Sequence, residues 1–172
     1  MSAYPATPTQ AVASRPGTLT AAIGVIIVTA IAAIANGIMI ATGGADLIKD
    51  ILVNAGVPAE AVTTDNLESM AAFAGYSSLD DFESTFAMRG YLALAGGVAL
   101  VLFGLAMRKA ATWARALVTV SAALSIAFAG IILADETTTT MALLSLVTVL
   151  GSVLVIIFTW LPANGRYAKA TA

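Results

Sequence analysis

Four long apolar runs divide the chain, and all of its Asp, Glu, Lys and Arg residues lie in the pieces outside them. The first run covers Thr18 to Thr42, the second Gly90 to Met107, the third Ala116 to Ala134 and the fourth Thr140 to Leu161. None contains Asp, Glu, Lys or Arg. A helix needs about 20 mainly apolar residues to cross the roughly 30 Å hydrocarbon core of a bilayer. The pattern predicts an all-α membrane protein, a four-transmembrane-helix bundle. Pro16-Gly17 punctuates the start of the first span and Gly43-Gly44 its end. The second run is the shortest, and Phe82 to Met88 is expected to continue it as helix beyond the membrane.

The piece between the first two spans, residues 43–89, has its own periodicity. Leu47, Ile48, Ile51 and Leu52 fall on one helical face, with Gly56 as a stop and Pro58 preventing continuation. Asp65 and Glu68 have capping-box spacing and would open a helix carrying Leu67, Met70, Ala71 and Phe73, closed by Gly75. Ser78 is placed to cap a helix with Leu79, Phe82 and Phe86 on one side, running directly into the second span. Three such apolar faces cannot all remain in water, so the segment is expected to form a small helical cap on the outer end of the bundle. The domain plan is therefore a disordered tail over residues 1–17, a bundle over 18–161 that includes the 43–89 cap, and a tail over 162–172.

Inside lipid, helices associate through small residues that permit close approach. Span one has Thr29, Ala33, Gly37 and Ala41 at four-residue steps, and span two has Gly90, Gly97 and Gly104 at seven-residue steps. Span three offers Ala122, Ile126 and Gly130 beside Ser121, Ser125 and Ala129; span four has Ser145, Ser152 and Thr159, with Thr148 and Gly151 alongside. Seven-residue steps favour left-handed, near-antiparallel packing, which suits a closed bundle. The same stripes can instead meet a partner membrane protein or a second copy of the chain. Asn36 is the only amide inside a span, and a polar residue at membrane depth is a candidate site. It is the one candidate intramembrane polar contact: a ligand or ion contact, an interhelical hydrogen bond to a Ser or Thr hydroxyl, or a packing kink at Asn36-Gly37.

Charge then orients the bundle. Arg15, Arg108, Lys109, Arg115, Arg166 and Lys169 occupy three pieces that hold no acid, while the other two pieces hold all 10 acids with only Lys49 and Arg89. Basic residues in short flanking loops stay cytoplasmic, so both termini and the loop Arg108–Arg115 are expected inside a plasma membrane. Trp113 and Trp160 fall at the inner interface and Tyr91 at the outer one, where amphipathic rings prefer to sit. The small residues Ala41-Thr42-Gly43 could suit a signal peptidase, but the run exceeds a typical 7–15-residue signal core and comes after a long tail; the first span is read as retained. Of the acids, Asp46, Asp50, Glu60, Asp65, Glu68, Asp80, Asp81 and Glu83 belong to the cap. They form a solvated, dipole-complementing face or a cation-binding one, without calcium-loop spacing. Asp135 and Glu136 are expected to complement the dipole of span four, with a Thr of the run Thr137–Thr140 as its cap.

With 59% hydrophobic and 10% charged residues, the 172-residue chain has too little polar surface for a soluble domain. It has no Cys and no His, which removes thiolate chemistry, disulfides, His-based acid–base catalysis and the usual zinc sites. No nucleophile–base pair is visible, so no catalytic, cofactor-binding or metal residue is assigned and no cofactor is expected. Three stretches carry a resemblance: Arg15-Pro16 before the first span, Arg108 to Arg115 before the third, and Trp160 to Tyr167 after the fourth. On these the chain resembles uncharacterised four-span integral membrane proteins of actinobacteria, which implies a bacterial membrane protein and no particular activity.

No motif specifies a reaction or a substrate. The leading expectation is a non-enzymatic integral membrane protein, an accessory or scaffolding subunit acting through protein or lipid contacts. A small channel or carrier lined by Asn36 and the hydroxyls of span four is the alternative. A membrane enzyme using the outer carboxylates ranks third. The lipid bilayer is the expected partner. Nucleic acid is not expected, because six basic groups spread over three short segments suit anionic lipid better than a duplex.

Overall fold

A computed structural model describes residues 14–73, 75–135 and 137–171. Most of the predicted N-terminal tail, residues 1–13, lies outside the described residues, as does Glu136. The described chain is helical: α1 (Gly17–Asn54), α2 (Thr64–Phe73), α3 (Leu79–Ala106), α4 (Thr112–Ala134), α5 (Thr139–Thr159) and α6 (Pro162–Thr171). Four of these, α1, α3, α4 and α5, are long and apolar enough to cross a membrane, and they correspond to the four apolar runs.

The four long helices close into a ring. α1 borders α3 and α5, and α4 borders the same two, so α1 and α4 stand on one diagonal. Most of the small-residue stripes are spent within this ring, although Gly130 of α4 meets no neighbour. Gly37 and Gly90 are the closest approach of α1 and α3: a Cβ on Gly37 would meet Leu94 N at 2.6 Å, and one on Gly90 would meet Ala41 N at 2.5 Å. Neither obstruction is a side chain that could swing aside, so only glycine allows the two backbones to touch. On α5, Ser145, Ser152 and Thr159 are fully buried, and on α4 the register that turns inward is Ser121, Ala122, Ser125 and Ala129.

α1 at 38 residues would be about 57 Å long if straight, nearly twice the hydrocarbon thickness. It breaks at Gly44 (φ 50°, ψ −147°), a backbone region that side chains resist. The break lies where Gly43-Gly44 predicted the end of the first span, and residues 45–54 continue as the first helix of the cap. α1 and α2 each end before a positive-φ glycine, Gly56 and Gly75, as expected. α3 runs without interruption from the cap into the bundle, its start capped by Ser78 Oγ accepting from the Asp81 N–H at 3.1 Å.

Three local expectations are corrected. The cap of α2 is Thr63, whose Oγ1 accepts from the Asn66 N–H at 3.4 Å, so the helix opens before Asp65 can cap it. α5 is capped by Thr138, accepting from the Met141 N–H, but its first turn holds no acid; Asp135 is instead drawn to Arg89, because a full cation beside it attracts more strongly than a helix dipole. Residues 162–171, read as a tail, form α6, with Pro162 at the first helical position where proline is favoured.

Two apolar cores result. One, at the end bearing the basic residues, gathers Leu19, Ile26, Leu100, Met107, Val118 and Val155. The other, at the end bearing the acids, gathers Ile40, Leu47, Ile51, Ala93, Ile132 and Met141. Asn36, Ser125 and Ser145 are buried polar groups of the bundle interior.

Candidate functional site

The acidic end contains an apolar chamber of about 590 Å³. Three helices and two links wall it. Ile48, Ile51 and Leu52 come from the last turns of α1, Leu67, Met70 and Phe73 from α2, and Phe82 and Phe86 from α3. Tyr76, in the turn between α2 and α3, stands 4.8 Å from the Phe82 ring, and Phe82 stands edge-on to Phe86 at 5.1 Å. These aromatic pairs brace the α3 wall at spacings that favour the tilted arrangement. The α2 wall is anchored by Leu67 and Ala71, which are buried, while Phe73 at the rim is 97% exposed. A phenylalanine left in water with an apolar hollow behind it is uncovered surface of the kind that marks binding sites.

The charged part of the lining is one ion pair. Arg89 Nη1 donates to Asp135 Oδ2, and the guanidinium also lies over the Phe86 ring at 5.2 Å from its centroid. Arg89 immediately precedes the second apolar run and Asp135 comes immediately after the third. Antiparallel α3 and α4 bring these positions to one level, so the pair marks the plane where the spans end. By sequence, Arg89 stands out as a rare cation among acids, whereas Asp135 is expected at the dipole of span four. The signal that finds the pair is their shared position at the ends of adjacent antiparallel spans. Asn54 Nδ2 donates to the Thr137 carbonyl at 2.8 Å, tying the end of α1 to the same link.

The cap acids do not converge. Asp46 takes Lys49 at 3.3 Å, Asp81 accepts from the Ser77 N–H and hydroxyl, and Asp80 is exposed at the start of α3. Among the described residues no three carboxylates form a group that could hold a metal ion.

Asn36 lies in the bundle interior, as its place in span one requires, and α1 stays helical through Asn36-Gly37. Its Nδ2 donates to Ser145 Oγ at 2.8 Å, an α1–α5 bond between side chains 109 positions apart. Of the readings open for this residue, the geometry gives the interhelical hydrogen bond to a hydroxyl. A hollow of about 10 Å³ adjoins Asn36, far below the width of a solute path.

The basic end is closed by polar contacts that charge counting alone does not reveal. Arg115 is only 6% exposed. Its Nε donates to the Thr159 carbonyl at 3.0 Å, and its guanidinium lies 4.4 Å over the Trp160 ring. A cation at the carbonyl end of α5 meets the negative pole of that helix, and the indole face adds a second attraction. Trp160 Nε1 donates to Thr119 Oγ1 at 2.8 Å. Asn164, at the start of α6, donates to the Phe158 carbonyl at 2.7 Å and accepts from Thr18 Oγ1 at 2.8 Å, locking α6 under α1 and α5. Arg115 is thus a structural cation, not the lipid-facing anchor expected from sequence.

Four membrane-length apolar helices in a closed ring with a helical cap define a multi-pass α-helical membrane protein. No protein-family model matches the chain, and no curated protein or solved structure matches it.

Proposed function

We propose that this protein is a non-enzymatic accessory subunit of a bacterial cytoplasmic membrane that works by lipid contact, and that the chamber of the acidic end takes the apolar chain of a membrane lipid. The observation that carries this reading is the chamber itself: about 590 Å³, walled almost wholly by aliphatic and aromatic side chains, with one ion pair on its lining. That volume and mixture suit an apolar ligand held by area and oriented by a few polar groups. The occupant is argued from position. Arg89 and Asp135 stand at the ends of the spans, so the chamber adjoins the plane where lipid chains begin. The charge partition supports the basic end as the cytoplasmic one, which puts the chamber on the opposite face.

The test is lipid retention. Native mass spectrometry of protein released from lipid nanodiscs is expected to show one retained lipid per chain. Met70→Trp, on a partly exposed position of the chamber wall, should reduce that retained fraction at least about tenfold while leaving the fold intact, an effect of roughly 1.4 kcal/mol. Equal retention by both proteins, or none by the wild type, contradicts the reading.

A further inference from the structure

We infer that the bundle interior holds a built site for one water molecule, which links the diagonal helices α1 and α4 and joins them to α5. The observations are independent of the chamber. Asn36 is 2% exposed and its Oδ1 has no hydrogen-bond partner; Ser125 is 3% exposed and its Oγ has none. Both line the same hollow of about 10 Å³, together with Thr148, Ala33, Ala93 and Phe128. A void of about 10–15 Å³ holds one water, provided that polar groups receive it.

The donors and acceptors close around such a molecule. Thr148 Oγ1 spends its proton on the Leu144 carbonyl at 2.8 Å, so its oxygen is left to accept. Water donates one proton to Asn36 Oδ1 and one to Thr148 Oγ1, and accepts the proton of Ser125 Oγ. Three bonds are the usual number for a buried water. Either orientation of the Asn36 amide leaves one polar atom without a protein partner, because Ser145 engages only the other. Lone unpaired polar groups at this depth are costly, and one water removes two of them. A metal ion is disfavoured by the same geometry: the polar lining is neutral, the hollow is minimal, and an unpaired charge at membrane depth is expensive.

The bridge gives the polar seam a role that direct contacts do not. α1 and α4 are diagonal in the ring and lack the close approach of neighbours such as α1 and α3. A water held by Asn36 and Ser125 fixes the rotation of both helices in the half of the bundle toward the acidic end.

A density map of the protein in nanodiscs, at a resolution that places waters, is expected to show one peak within hydrogen-bond distance of Asn36 and Ser125. Ser125→Ala, a substitution small enough to preserve the bundle, should lose that peak and keep the Asn36–Ser145 bond. Replacing sodium by rubidium in the buffer should leave the wild-type peak height unchanged. The inference is overturned by a wild-type hollow with no peak, by a peak that persists unchanged in Ser125→Ala, or by a peak that strengthens with rubidium.

Discussion

At the basic end, the core residues Leu19, Leu100, Met107 and Val118 are all 0% exposed, and Arg115, Trp160, Thr18 and Asn164 close the bundle over them. At the acidic end, Leu47, Ile51 and Ala93 keep 5–8% exposure, and beyond them lies a half-open chamber of about 590 Å³. The same four helices make both ends. The difference lies in the segments that extend the spans. At the basic end α6 folds back beneath α1 and α5; at the acidic end α1 and α3 run past the spans and, with α2, line the chamber. A protein that needed only to be a bundle could close both ends alike. Leaving aromatic surface uncovered at one end sacrifices stability there, a pattern seen where a surface is kept for a ligand.

The sharpest break of this contrast is a pair of core truncations. Leu100→Ala, in the sealed core, should cost about 2–5 kcal/mol, since a cavity opens where nothing can collapse into it. Ile51→Ala, whose lost volume merges with the chamber, should cost about 2 kcal/mol or less. Equilibrium unfolding in mixed detergent micelles checks both, and equal costs would mean that the acidic end is as closed as the basic one.

Arg115→Met comes next, with an expected loss of about 1–3 kcal/mol, because the Thr159 carbonyl loses its buried donor and Trp160 its cation. Fluorescence of Trp160 in a Trp113→Phe background should shift along with the stability loss. Arg115→Lys should recover only part of it, since an ammonium cannot stack and donate as a planar guanidinium does.

Smaller effects are expected at the chamber rim. Phe73→Ser should change stability by no more than about 0.5 kcal/mol, given its 97% exposure, yet lower the retained lipid in nanodisc-release experiments. Smallest is Asp135→Asn. The Arg89 pair is partly exposed, so its removal should cost about 0–1 kcal/mol in low salt and nearly nothing at about 1 M salt. A loss that is large and insensitive to salt would show that the pair holds the end of α4 in place instead of bordering an open site.

The parts of this architecture legible in the sequence are the local ones. Four apolar runs give four spans, Gly43-Gly44 gives the break in α1, and Ser78 gives the start of α3, because each signal sits on the residues it governs. Asn36 is recognisable as the only amide inside a span, with a hydroxyl as one expected partner; that the hydroxyl is Ser145 depends on which helices adjoin α1. The chamber is not legible. It is space between α1, α2 and α3, and no residue pattern encodes a gap. The burial of Arg115 escapes the sequence for a related reason. The positive-inside rule weighs its charge, but its burial comes from Trp160 and the fold of α6, which composition places in a tail.

The most direct measurement is a density map of the wild-type protein in lipid nanodiscs, inspected between α2 and α3. Continuous elongated density along Phe82 and Phe86, ending near Arg89, is the result expected if the acidic end holds a lipid chain. A chamber closed by α2, with Phe73 packed against Phe82 and no density between them, would contradict it.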